Sequence, residues 1–351
     1  MLKHWWKILG VAILFYVFVA GLLVPLKTGI SAVSPQKVAP GESFTLEVTG
    51  YNSRYTQAQG QIRAWLKQDE AHALAAGSVT VLDDRRLQLA FAMPEYLPSD
   101  KKVQVLTLLI DDPVDGAHVL PSAMFVTQDS IAPGLAGSAW TAHPVEGLHE
   151  EWTMSYPFRN ILQETIRNAY FHIPMWFAMI FIFIGAVISS VRYLRKFDPQ
   201  DDLKAAAFTR VGILYGIMGL VTGAIWAKNT WGAYWSGDIK QNMTAIALLI
   251  YLAYFVLRNA FEDPDKKARV AAVYNLFSFA ALIPLIYVVP RLYDSLHPGS
   301  GGNPALGGED LDNTMRLVFY PAIIGWTLLG LWIAQLLYRA DRLRDRLWMN
   351  A

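Results

Sequence analysis

Six runs of apolar residues constrain this chain more than any other feature of its sequence. They cover Ile8–Leu26, Ala169–Val191, Val211–Ala227, Met243–Leu257, Ala271–Val289 and Leu317–Leu337. At 1.5 Å per residue, a run of roughly 19 residues reaches about 28 Å, enough for the hydrocarbon core of a bilayer. Two runs are shorter, and interfacial aromatics accommodate the difference. Inside a bilayer the backbone has no water to bond, so each run predicts a helix that closes its own hydrogen bonds. The fold class that follows is mainly α, a polytopic membrane bundle of six transmembrane helices. Composition agrees, with 54% hydrophobic and 17% charged residues. A net charge of +1 gives no reason to expect a nucleic-acid partner.

Lys3, Lys7 and the Trp5-Trp6 pair precede the first run. The run is long, and no small-x-small cleavage site follows Leu22-Leu23-Val24-Pro25-Leu26, so residues 1–28 read as an uncleaved anchor rather than a signal peptide. The pattern then changes. Ser43–Thr49 alternates polar and apolar residues, and similar stretches recur at Gln61–Leu66, Ser78–Leu82, Leu87–Ala92 and Val103–Ile110. Short strands separated by Pro and Asp/Gly clusters predict a small all-β, antiparallel sandwich-like domain over residues 29–130. Its histidines, His72 and His118, read as surface or loop residues. Residues 131–166 are rich in Gly, Pro and Trp and read as a connector on the membrane face. They carry His143, His149 and the Glu146, Glu150 and Glu151 cluster; a metal site is the alternative there, but the spacing matches no specific ligand pattern. Residues 167–351 form the remaining five-helix bundle.

Basic residues set the orientation. Lys3 and Lys7, then Arg192, Arg195, Lys196, Lys204 and Arg210, then Arg258, Lys266, Lys267 and Arg269, and lastly Arg339, Arg342, Arg344 and Arg346 all fall on one side. The loops after the third and fifth spans hold few, Lys228 and Lys240 in one and Arg291 and Arg316 in the other. The positive-inside rule places both termini in the cytoplasm. The sandwich and the loops after the third and fifth spans then lie outside, in the periplasm of a Gram-negative cell. The third span carries Gly212-x-x-x-Gly216 and Gly219-x-x-x-Gly223, which allow close helix approach and predict a central place in the bundle. The Gly-rich run Gly299–Gly308 lacks a phosphate-loop lysine, so the chain supplies no ATPase of its own.

Between the third and fourth runs lies Trp231-Gly232-Ala233-Tyr234-Trp235-Ser236-Gly237-Asp238-Ile239-Lys240-Gln241, within a loop spanning 228–242. Three large rings here act either as an interfacial aromatic belt or as a shelf for a flat apolar ligand. Two histidines share that side of the membrane. His172 precedes Pro174 at the outer start of the second span, facing the interface, and His297 lies in the loop after the fifth. A flat iron macrocycle wants two axial nitrogens, an aromatic shelf and cations for its propionates. His172 and His297 are candidates for the first and Trp231, Tyr234 and Trp235 for the second, a hydrogen-bonded interfacial histidine and an aromatic belt being the alternatives. Arg167, Lys228, Lys240 and Arg291 are candidates for the third. The chain has no cysteine, so any haem is handled without thioether capture by this chain, and structural disulfides and thiolate metal sites are excluded.

Trp231-Gly-x-Tyr-Trp-x-x-Asp-x-Lys resembles the tryptophan-rich signature of the cytochrome c assembly family, in particular its CcmC/CcsA-type haem-handling proteins. His172 and His297 match the positions of that family's two external axial histidines, and the resemblance runs over the six spans in order. It implies a carrier rather than a catalyst in c-type cytochrome maturation. Such a carrier takes haem b non-covalently and transiently, with His172 and His297 as iron ligands. Trp231, Gly232, Tyr234, Trp235, Asp238 and Lys240 complete the site. It implies multi-pass residence in the inner membrane. The implied partners are a haem chaperone, transporter or ligation subunits of the same system, with apocytochrome c among the candidates. The alternatives are a subunit of a cytochrome c haem lyase, or a membrane-anchored scaffold whose β domain binds a partner protein. Two departures stand out. Gly237 occupies the place of an expected tryptophan, and a domain of about 100 residues is inserted after the first span. Asp238 reads as structural or as holding a polar partner near the haem edge, and docking a partner is the role expected of the inserted domain.

Overall fold

The structure, a computed structural model, describes residues 4–99, 101–128, 137–150, 154–297 and 311–349. It divides into two compact units, one formed by Met1–Val24 with Glu164–Ala351 and the other by Pro25–Gln163.

The first unit is the helical one. Its helices are α1 (Trp5–Leu23), α2 (His172–Lys196), α3 (Pro199–Trp231), α4 (Ile239–Asn259), α5 (Pro264–Ile283) and α6 (Asn313–Met349). Each is part of a helical segment long and apolar enough to cross a membrane, as the hydropathy pattern predicts, and the chain is a multi-pass membrane protein. Helices α3 and α5 start well before their apolar runs. Asp198 and Asp263 cap them, accepting the Gln200 N–H in one case and the Asp265 and Lys266 N–H groups in the other. Pro199 and Pro264 follow at the first helical position, where a missing N–H costs nothing. The fifth span continues beyond α5 through a π turn at Pro284–Val288 and a 3₁₀ turn at Val289–Arg291, which bring the chain to His297.

Helix α3 packs against α2, α4, α5 and α6. Its glycines form a groove for side chains rather than a simple backbone contact. A Cβ built at Gly212 would lie 2.3 Å from Phe183, at Gly216 2.3 Å from Leu248, at Gly219 2.6 Å from Trp176 and at Gly223 2.7 Å from His172. Large rings of α2 therefore seat where α3 has no side chain. Polar groups also join helices inside the bundle: Asn275 Nδ2 donates to Ser190 Oγ and Thr209 Oγ1 at 3.1 Å each.

Helix α1 lies against α6, with Leu328 over Gly10 and Leu14 over Gly325. Pro321 has no N–H, so the Leu317 carbonyl four residues earlier loses its helical partner. The Tyr16 hydroxyl of α1 donates to that carbonyl at 3.1 Å. Tyr16→Phe is expected to lower stability by about 1 kcal/mol, the usual worth of one such bond. Thermal unfolding in detergent measures this; an unshifted midpoint would mean the carbonyl finds another partner.

The second unit is a two-sheet sandwich. Its strands are β1 (Gly29–Ser34), β2 (Lys37–Val38), β3 (Ser43–Tyr51), β4 (Arg63–Lys67), β5 (Ala73–Ala75), β6 (Ser78–Asp83), β7 (Arg86–Ala92), β8 (Val103–Asp112) and β9 (Gly116–Thr127). One sheet has the order β1-β3-β7-β6 and the other β2-β9-β8-β4-β5. The expected antiparallel pattern holds except at β2, which pairs parallel to β9. Alternate residues of β3, β7 and β8, among them Leu46, Val48, Leu87, Leu89, Leu106 and Leu108, meet in one core. Strand β9 escapes the alternation signal because Pro121 interrupts it and Ser122 takes a left-handed backbone (φ 54°) beside a register shift.

His118 corrects an expectation: it is buried on the inner side of β9, not in a loop. Its Nε2 meets the Tyr55 hydroxyl at 3.2 Å and its Nδ1 the Gly116 carbonyl at 3.2 Å. Burial pushes its pKa down, so it is a neutral core histidine. The stretch 137–150 is stitched to the sandwich. Trp140 is in its core, the Trp65 indole donates to the His143 carbonyl at 3.1 Å, and Arg63 bonds the Glu146 carbonyl at 3.0 Å. The His149 ring and backbone both engage Asp111 (3.0 and 2.7 Å). Glu151 lies outside the described residues, and among those described no three His, Cys, Asp or Glu side chains converge as a metal site.

Candidate functional site

The aromatic loop is a constructed turn. Helix α3 ends at Trp231, and Gly232 takes the left-handed cap position (φ 82°), its N–H donating to the Lys228 carbonyl at 3.2 Å. Lys228 Nζ returns to the Gly232 carbonyl at 2.8 Å and stands 5.8 Å from the Tyr234 ring centroid. Gln241, in the first turn of α4, reaches back to accept the Ser236 N–H and hydroxyl at 3.0 Å each. Asn242 accepts the Trp235 indole N–H at 3.1 Å and donates to the Gly237 carbonyl at 2.9 Å. Tyr234 and Trp235 remain 60% and 46% exposed, so two rings stand out from a loop whose backbone is held.

Gly237 now has a local reason. Its φ is +75°, a conformation costing roughly 1–2 kcal/mol for a residue with a Cβ, although nothing lies within 4 Å of where that Cβ would sit. The turn into Asp238 demands glycine; the space beside it does not.

Asp238 ties the loop to the second histidine. It caps α4 through the Lys240 N–H, which donates to Oδ1 at 2.8 Å. The same oxygen meets His297 Nδ1 at 2.8 Å. Oδ2 accepts the Ser295 hydroxyl and the Leu296 N–H, both at 2.8 Å. Burial acts to raise the carboxyl pKa, but these donors and the neighbouring imidazole win and hold it below the usual carboxylate range. His297 also stands edge-on to Trp231, with ring centroids 4.7 Å apart. Burial, then the Lys240 ammonium, push the His297 pKa down against the pull of Asp238.

His172 is the first residue of α2, as Pro174 leads one to expect, but it does not face the interface. Its ring turns into the α3 groove, where Nδ1 lies 3.0 Å from the Gly219 carbonyl and 3.1 Å from Thr222 Oγ1. Trp176 and Trp226 flank it edge-on, at 6.1 and 5.8 Å. These two indoles, with Gly219, Thr222 and Gly223, are absent from the sequence-derived site. Their signal was present as helical spacing, since residues 219, 222, 223 and 226 share one face of α3. The Trp226 indole N–H is buried without a hydrogen-bond partner among the described residues.

Trp231, Asp238, Lys240 and His297 thus come together, and His172 lies within electrostatic reach of both His297 and Lys240. Tyr234 and Trp235 do not join them; their side-chain contacts run to Lys228 and Asn242. Of the candidate cations, Arg167 is committed to the Gly21 and Val24 carbonyls at the end of α1, and Lys228 to the loop. Lys240 and Arg291 stand within electrostatic reach of each other, and neither head group has a hydrogen-bond partner among the described residues. The Gly299–Gly308 run lies outside the described residues.

Each imidazole uses Nδ1 within the protein. A carbonyl and an ionised carboxylate only accept, so each Nδ1 carries the proton and each Nε2 carries the lone pair. Among the described residues neither Nε2 has a hydrogen-bond partner. That is the state in which an imidazole binds a metal.

The family model described as CcmC, Heme exporter protein C, matches residues 121–349. The match holds five of the six spans, so α1 and most of the sandwich precede it. The Heme exporter protein C of Bradyrhizobium diazoefficiens is 30% identical over 183 residues, 52% of this chain and 68% of that protein. That of Paracoccus denitrificans is 28% identical over 227 residues, 65% of this chain and 92% of the relative. That of Haemophilus influenzae is 27% identical over 190 residues, covering 53% and 76%.

Proposed function

Because the chain belongs to the Heme exporter protein C family, we propose that it is a haem carrier of c-type cytochrome biogenesis. It presents haem b on the extracytoplasmic face and passes it to a haem chaperone or ligation partner. The observation that carries this reading is the matched state of two imidazoles. His172 and His297 come from segments 125 residues apart, each tied through Nδ1 with Nε2 free among the described residues. The residues fit the cargo in three further respects. Trp231 offers an apolar ring at His297, Trp176 and Trp226 line the His172 side, and Lys240 and Arg291, whose head groups have no hydrogen-bond partner among the described residues, suit propionates. The absence of cysteine suits a cargo that is passed on rather than kept. The bias of basic residues supports an extracytoplasmic site, cytoplasmic termini and inner-membrane residence. The sandwich lies on the same side in this topology and serves to dock the receiving protein.

Detergent-purified protein from haem-replete cells is expected to show a low-spin, bis-imidazole visible spectrum. His172→Ala and His297→Ala should each convert the bound haem to a high-spin form or release it. A low-spin spectrum that survives both changes would refute the axial pair, and wild-type protein free of haem would point to the scaffold reading.

A further inference from the structure

The two imidazoles are alike in tautomer but unlike in what holds them. His297 Nδ1 donates to a carboxylate, Asp238 Oδ1, at 2.8 Å. Among the described residues that carboxylate takes four donors, from Lys240, Ser295, Leu296 and His297, and its side chain is 1% exposed. Four donors on two oxygens describe the acceptor-only, ionised form. His172 Nδ1 faces neutral groups only, the Gly219 carbonyl and Thr222 Oγ1. The Thr222 hydroxyl is itself within bonding distance of the Met218 and Gly219 carbonyls at 2.9 and 3.1 Å, so no negative charge reaches the ring by that route.

A carboxylate behind an imidazole pushes electron density towards Nε2 and makes it a stronger donor to a metal; a carbonyl does so less. Resting on the haem-carrier reading, we propose that Asp238 is a positioning residue acting through His297. It makes the axial ligands unequal, so that His297 is the retained ligand and His172 the one exchanged when haem is passed on. The polarised imidazole also favours ferric over ferrous iron, because the extra electron density stabilises the higher charge. Asp238 thereby couples three things through one side chain: the start of α4, the aromatic loop, and the ligand strength of a histidine 59 residues away.

The test uses the full-length protein loaded with haem. Asn is a good helix cap and keeps an acceptor oxygen for the Lys240 N–H, so Asp238→Asn removes the charge and keeps the start of α4, while its amide nitrogen gives up the acceptor of Ser295 and Leu296. Its ferric-over-ferrous preference is expected to fall about tenfold, which for one electron is about 59 mV upward in potential. Haem release to apomyoglobin should quicken about 10–100-fold, the usual effect of losing a ligand's outer partner. The single-histidine variants then order the ligands. His172→Ala, which keeps His297, should release haem more slowly than His297→Ala, and adding Asp238→Asn to His172→Ala should erase that advantage. Equal release from the two alanine variants, or an unshifted potential in Asp238→Asn, overturns the inequality while leaving the carrier reading in place. Wild-type protein that binds no haem removes both.

Discussion

Gly223→Ala is expected to weaken haem binding at least tenfold without dismantling the bundle. The built Cβ would stand 2.7 Å from His172 Cε1, closer than any relaxed contact, and the ring is pinned between Trp176 and Trp226. The ring must therefore leave the Gly219 carbonyl, which both frees the tautomer and moves Nε2 from its place. Misplacement of about 1 Å is enough to cost a prearranged site a factor of order 100. Gly212→Ala is the matched control. Its Cβ would strike Phe183, which stacks on Tyr251 at 3.8 Å, so it strains helix packing without touching a histidine. Haem titration followed by visible spectroscopy should separate the two, with affinity lost in Gly223→Ala and stability lost in Gly212→Ala. Wild-type affinity in Gly223→Ala would show that the groove does not position His172.

The largest effect on stability is expected at the ion pair that joins the start of α3 to the end of α4. Arg258 reaches Asp202 through both terminal nitrogens, at 2.6 and 2.5 Å, with side chains 14% and 12% exposed. Asp202→Ala strands the guanidinium among helices, and breaking such a pair costs about 3–5 kcal/mol. Replacing both residues, as Asp202→Leu with Arg258→Met, removes the charge along with its partner and should recover most of the loss. A double-mutant cycle of unfolding midpoints in detergent reads the coupling directly. If the single change costs no more than a surface pair, under about 1 kcal/mol, water reaches the site and the pair is solvated.

Hydropathy made the six spans legible because a bilayer imposes one requirement on every residue that crosses it. The starts of two of them, at Asp198-Pro199 and Asp263-Pro264, lie well before the apolar runs, because capped polar turns carry no hydropathy signal. Five strands of the sandwich follow from alternation. Two of those missed, β5 and β9, had weak signals for physical reasons: β5 has three residues, and Pro121 and Ser122 break the alternation of β9. His118 was misjudged because a polar side chain was taken for an exposed one, while Tyr55, distant in sequence, satisfies it inside the core.

The candidate site divides in the same way. By itself the sequence determined the ingredients: two histidines, an aromatic loop opening at Trp231, an acid before a helix, and no thiol. It also determined a Gly-x-x-x-Gly face that predicts close packing; that the face seats large rings was decided by the tertiary structure. Only the tertiary structure decided that Asp238 bonds His297, that His172 turns into α3, and that Arg167 and Lys228 are already engaged. It also separated Trp231, against His297, from Tyr234 and Trp235, which are exposed and contact Lys228 and Asn242. The reason is one of range. Hydropathy and capping act over a few residues and leave a local pattern, whereas a hydrogen bond across 59 residues exists only once two helix ends have been brought to one place.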